Sequence, residues 1–155
     1  MSLKVNLHHL EMREIRLIGE LPVEKLNLGV HDQMIRAEQP LRYDLKVEKL
    51  PGGVLAVGSL RLVLNCECVR CLKAFQRELQ LESWTGHLPL EGEEKAPIDN
   101  DCVDLTPFVR EDILLEFPQH PLCKADCSGL EKNSIGRSEV ASSPWSELNK
   151  LKEII

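Results

Sequence analysis

In Leu41-Arg42-Tyr43-Asp44-Leu45-Lys46-Val47-Glu48, the apolar residues Leu41, Tyr43, Leu45 and Val47 alternate with charged ones. A period of two puts the apolar set on one face of a half-buried strand. Pro51-Gly52-Gly53 follows as a turn, since glycine takes positive φ without a steric cost. The chain then returns with Val54, Ala56, Leu60, Leu62 and Leu64 on one parity and Ser59, Arg61 and Asn65 on the other. The two runs predict an antiparallel hairpin. Further on, Phe75, Leu79 and Leu81 alternate with Gln76, Glu78, Gln80 and Glu82 as a third strand. Strands are thus expected over 41–49, 54–66 and 75–83.

Between the second and third strands lies Asn65-Cys66-Glu67-Cys68-Val69-Arg70-Cys71-Leu72-Lys73-Ala74-Phe75. Cys66 continues the leucine parity and is expected in the core, a common fate of cysteine. Cys68 and Cys71 have the spacing of a knuckle that presents two thiolates on one side of a tight turn. Downstream, Pro121-Leu122-Cys123-Lys124-Ala125-Asp126-Cys127-Ser128-Gly129-Leu130 holds a second pair. Two such half-sites supply the four ligands of a tetrahedral zinc ion, so Cys68, Cys71, Cys123 and Cys127 are the expected metal set. Cys66 and Cys102 are expected outside it. His120 is a substitute ligand ranked below the cysteines.

Upstream, Leu3, Val5 and Leu7 alternate as a short opening strand. His8 and His9, adjacent and so on opposite faces of a strand, form a poor chelate and read as surface residues. Residues 11–28 are mixed, with Pro22 placed to start a short helical turn at 23–26. Residues 86–101 are acidic, aperiodic and broken by Pro and Gly, and are expected as a long mobile loop. Asp99, Asp101 and Asp104 lack the Gly and distal Glu of a calcium loop, which excludes that reading. Thr106-Pro107 predicts a helix with Thr as cap and Pro at its first position, burying Phe108, Val109, Ile113, Leu114 and Phe117 and stopped by Pro118. A polar linker over 131–142 and a helix over 143–155 with Trp145, Leu148, Leu151, Ile154 and Ile155 on one face complete the reading. The predicted fold is α+β: an antiparallel sheet with two helices and long loops, one domain over 1–130 and a tethered C-terminal helix.

The formal net charge of −6 over 155 residues excludes a globally basic polyanion binder but not a local basic patch. With 4% aromatic residues the chain is poorly supplied for base stacking. It has no membrane-length apolar run and no signal-peptide core, so a cytoplasmic setting is expected. Six cysteines in a reducing compartment suggest metal or redox chemistry more than a disulfide framework. Four thiolates make a closed, structural site, whereas catalytic zinc keeps an open position. No Ser-His-Asp signature, phosphate-binding loop or HExxH helix is present, and the Cys-x-x-Cys joins strands instead of opening a helix. Binding without catalysis is the expectation.

Cys68-Val69-Arg70-Cys71-Leu72 followed by Phe75 resembles the C-x-R-C-L-x-x-F signature of the YceD-like family, proteins linked to accumulation of large-subunit ribosomal RNA. The stretch from Asp104 to Pro118 is similar to that family's acidic-leader helix ending in Leu-x-x-Pro. Cys123, Cys127, Gly129 and Leu130 match its C-x3-C-x-G-L element, and Pro144-Trp145 with Leu148, Leu151 and Lys152 matches its closing segment. The ordered set covers residues 40 to 155. Many members add a C-P-x-C-G after the Gly-Leu, where Glu131-Lys132-Asn133-Ser134 stands here. A site completed by those cysteines is incomplete in this chain, and one made of the first two pairs is whole. The resemblance implies a non-enzymatic ribosome-biogenesis factor whose partners are large-subunit rRNA or ribosome-assembly proteins. Arg61, Arg70, Lys73 and Arg77 are the residues expected to meet phosphates. A protein scaffold with no nucleic-acid role is the alternative.

Overall fold

The structure, a computed structural model, describes residues 3–28 and 33–130. In chain order its elements begin with β1 (Lys4–Asn6), α1 (Leu7–Met12), β2 (Ile15–Leu21), α2 (Val23–Leu26) and β3 (Ile35–Ala37). The long strands β4 (Leu41–Leu50), β5 (Gly53–Glu67) and β6 (Ala74–Pro89) follow, then β7 (Ile98–Asp99), β8 (Cys102–Asp104) and α3 (Thr106–Leu115). The expected linker at 131–142 and helix at 143–155 lie outside the described residues.

The hairpin is the centre of the larger sheet. β4 and β5 pair antiparallel from Arg42 opposite Arg61 to Leu50 opposite Gly53, and Gly52 takes φ +76° in the turn. β2 pairs with the outer side of β4, and β6 pairs with the whole free side of β5. The short β3 lies along the end of β5 just beyond the reach of β4, with Ile35 opposite Cys66. β3 and β4 therefore follow one another along the same edge of β5, interrupted at Pro40, which has no N–H for a sheet ladder. A second, smaller sheet has the order β1-β8-β7.

The α+β expectation with two helices and long loops is overturned. Of the described residues 48% are in strands and 16% in helices, and the larger sheet curls into a half-barrel. The long loop expected at 86–101 is shorter and tied down: β6 runs on to Pro89, β7 takes up Ile98–Asp99, and Ala96 is buried with its N–H bonded to Pro89 O at 2.7 Å. The cause is a bulge. Gly58 pairs with Trp84 but Leu60 pairs with Leu81, so Glu82 and Ser83 together oppose the single residue Ser59. An extra residue reverses which parity faces inward. Before the bulge Leu79 and Leu81 face the core; after it Trp84, Gly86 and Leu88 do, the last two opposite Ala56 and Val54. Alternation continues through 89 in the opposite phase, which a single-phase pattern reads as its end.

One apolar core joins both sheets and the helices. Leu41, Leu45, Val47, Val54, Ala56, Leu60 and Leu64 contribute from the large sheet, Val5 and Val103 from the small one, and Val109 and Ile113 from α3. Burial of each large aliphatic side chain contributes about 1.5–3 kcal/mol. The cap of α3 differs from expectation: Asp104 Oδ1 accepts from the Thr106 N–H at 2.9 Å, so Asp104 performs the capping assigned to Thr106. The helix also binds the sheet by a polar contact, Trp84 Nε1 donating to Asp112 Oδ2 at 2.6 Å. The opposite face of the sheet is solvent-exposed and laced with ion pairs, among them Arg16–Asp44, Arg42–Glu20 and Lys46–Glu14.

Candidate metal centre

The knuckle is the loop at the far end of the β5–β6 ladder, after Glu67 has paired with Ala74. Its backbone is closed by two hydrogen bonds, Cys68 N–H to Lys73 O at 2.9 Å and Leu72 N–H to Cys68 O at 2.8 Å. Leu72 takes φ +60°, a left-handed conformation held by these bonds. The long ladder below fixes the loop's base, so both thiols project from a rigid support.

The second cysteine loop lies against the knuckle. Val69 N–H donates to Pro121 O at 3.0 Å, and the Arg70 guanidinium donates from Nη1 to Cys127 O at 3.0 Å. Across this junction Cys68 Sγ lies 3.7 Å from Cys127 Sγ, and Cys71 Sγ lies 3.6 Å from Cys123 Sγ. All four sulfurs fall within 4.8 Å of one another, and all are free thiols. A tetrahedron of thiolates with metal–sulfur bonds of about 2.3 Å has edges of about 3.8 Å, so the donor set fits a four-coordinate ion closely. His120, exposed, is not part of the cluster. Cys66 is buried in the core, where desolvation pushes its thiol up, and Cys102 takes a long contact from Asn6 at 3.8 Å.

The thiols differ in acidity. The backbone N–H of Cys123, with those of Cys71 and Arg70 behind it, holds the Cys68 thiol down to about 6 despite its desolvation. Cys123 is pushed up to about 12, first by its hydrogen bond to the Cys71 side chain and then by burial. Thiolate charge therefore settles first on Cys68, and neighbouring sulfurs resist a second charge unless a cation compensates it.

The four cations named from the sequence do not form one patch. Arg70 and Lys73 belong to the knuckle. Arg77 pairs with Leu64 and so lies on the core side of the sheet, near enough to Cys66 to favour its thiolate. Arg61 pairs with Gln80 and Arg42 on the opposite face, six positions before the end of β5. Adjacent on the ladder is not adjacent on a face. Missed by the sequence reading were Lys124, on the rim of the cavity beside the cluster, and exposed Val69 and Leu72 at the knuckle's tip. Their signal was two apolar residues standing beside cysteines at the end of a ladder, where no core remains to bury them.

Among the described residues no helix is long and apolar enough to cross a membrane. No solved structure matches the chain. An uncharacterized protein of Mycobacterium leprae (strain TN) is 28% identical over 111 residues, covering 66% of this chain and 51% of its own length. An uncharacterized protein of Mycobacterium tuberculosis (strain ATCC 25618 / H37Rv) is 31% identical over 99 residues, covering 58% of this chain and 47% of its own length. The chain spans about half the length of the curated relatives it matches. The sequence model of the family described as "Large ribosomal RNA subunit accumulation protein YceD" matches residues 56–152, a span that includes most of β5, all of β6 and α3, and both cysteine loops. The chain belongs to the YceD family of large ribosomal RNA subunit accumulation proteins.

Proposed function

We propose that this protein supports large-subunit ribosome assembly or rRNA accumulation by binding, without catalysing a reaction, and that its four clustered cysteines hold a structural zinc ion. Membership of the YceD family supports the biological part of this reading. The observation that carries the metal part is the convergence of Cys68, Cys71, Cys123 and Cys127 on one point at tetrahedral spacing. When bound, zinc supplies charge compensation and a cross-link between the two loops. Filled by four thiolates it offers no open position to a substrate, which favours a structural role.

The arrangement also bears on the contact surface. A divalent ion with four thiolates carries a net charge of −2, which draws on the positive charge of Arg70, Lys73 and Lys124. The partner is a large-subunit rRNA or a ribosome-assembly protein. A pull-down from cell extract with and without ribonuclease separates the two, since an RNA-bridged association is lost on digestion and a protein contact persists. A deletion strain is expected to accumulate less mature large-subunit rRNA and to show an altered subunit profile. A normal profile with normal mature rRNA removes the proposal, and elemental analysis finding no metal in the purified chain removes its zinc component.

A further inference from the structure

The four sulfurs are not equivalent. Cys71 and Cys123 meet at 3.6 Å, and both line the open cavity of about 670 Å³ beside the knuckle, with Lys73 and Lys124 at its rim. Cys127 lines the same cavity, but its contact partner at 3.7 Å, Cys68, is fully buried. Each of these contacts joins the knuckle to the second loop. We infer that the centre is a two-electron redox site, in which a peroxide oxidises Cys71 and Cys123 to a cross-loop disulfide, and Cys68 with Cys127 forms the second and slower bridge. The release of zinc that accompanies this oxidation rests on the metal reading above; the choice of pairs rests on the thiols alone.

The step balances. The Cys71 thiolate attacks one peroxide oxygen; an S–O bond forms, the O–O bond breaks, and hydroxide leaves to become water. The facing sulfur then attacks this sulfenic acid, an S–S bond forms, and the departing hydroxide takes up the remaining proton as a second water. Two electrons pass from the two sulfurs to one peroxide; the Cys123 thiol and solvent each supply one of the two protons that complete the waters, and solvent supplies both where the sulfurs are zinc-bound. The sulfurs close from 3.6 Å to about 2.0 Å, a movement of side-chain rotation scale. A disulfide sulfur has no negative charge to offer a divalent cation, so the first bridge removes half of the ligand set and the ion leaves. Cys66, 2% exposed in the core, and Cys102, remote beside Asn6, take no part.

The test is a titration of the full-length, reduced, zinc-loaded protein with hydrogen peroxide. A chromophoric chelator reports free zinc, and alkylation followed by non-reducing proteolysis and mass spectrometry reports the bridges. The Cys71–Cys123 peptide is expected at about one equivalent, zinc release should track it, and thiol reductant should restore four alkylatable sites at the cluster. Cys71→Ser should abolish the first bridge, whereas Cys102→Ser should leave it unchanged. Bridges forming first within a loop, Cys68–Cys71 or Cys123–Cys127, overturn the inference, as does oxidation to sulfinic acids with no bridge or zinc retained after bridging. A chain purified without zinc that still forms Cys71–Cys123 sinks the metal reading and leaves the redox pairing standing; a zinc-loaded chain that bridges within its loops does the reverse.

Discussion

Cys68 and Cys123 face each other across the loop junction with opposite acidities, one near 6 and one near 12. The depressed thiol of Cys68 favours the folded state above the unfolded thiol value of about 8.5, and this contribution is lost as pH falls through about 6. Cys123 has the opposite sign: its raised value opposes folding once pH exceeds the unfolded thiol value. Urea midpoints of reduced, metal-free protein should therefore show the gap between wild type and Cys68→Ser narrowing from pH 8.5 to 6; a constant gap contradicts it. Zinc affinity should fall over the same range, because each ligand must lose its proton. Arg70 and Lys73 provide a second contrast at this scale. Arg70 bonds the second loop through Cys127 O, and Lys73 contributes only its backbone carbonyl to the knuckle. Arg70→Glu is expected to lower zinc affinity by roughly tenfold or more, as removal of outer-shell support does elsewhere, while Lys73→Glu leaves it within about threefold. Competition with a chelator of known affinity checks both. RNA association, if Arg70→Glu alone removes it, must then be read beside the variant's metal content.

Among the elements, the bulge on β6 decides the fold's dimensions, and Gly58 stands beside it. A Cβ at Gly58 would lie 2.0 Å from Asp44 O, on the backbone of the neighbouring strand. No rotamer relieves a clash with backbone, so Gly58→Ala should part β4 from β5 and cost more than about 3 kcal/mol in chemical denaturation. A loss under about 1 kcal/mol would mean that the strands are less closely apposed. The joint between β6 and α3 is tested by Trp84→Phe. This removes the indole donor to Asp112 Oδ2 and some apolar volume, at an expected cost of about 1–3 kcal/mol. Asp112→Asn keeps an acceptor at that place and should cost less than half as much. Neither change touches the cysteine loops, so zinc content should not move.

At the scale of the molecule, the core and the metal centre lie apart. The core is built from both sheets and α3, whereas the cluster sits beyond the last ladder pair. Chelation should accordingly raise amide exchange in residues 67–73 and 121–130 while the β-sheet circular dichroism persists, unlike small domains that unfold without their metal. Loss of the sheet signal on chelation would show that the cluster supports the whole fold. The chain itself dictated the hairpin, the third strand, the α3 segment and the two cysteine pairs, because each is a local pattern: a period of two, a turn tripeptide, a proline-led helix start, a short spacing between thiols. What only the tertiary structure decided was what depends on the strand alongside. The register of β5 against β6 placed an extra residue at Glu82–Ser83, and the strand went on in the opposite phase to Pro89, into the start of a stretch whose composition reads as loop. The same register put Arg61 and Arg77 on opposite faces, although sequence distance grouped them with the knuckle. The two cysteine loops, more than fifty residues apart, were joined by Val69 N–H to Pro121 O and Arg70 to Cys127 O. Side-chain periodicity fixes which residues share a face within one strand; pairing energy between strands, invisible in either alone, fixes which faces and loops meet.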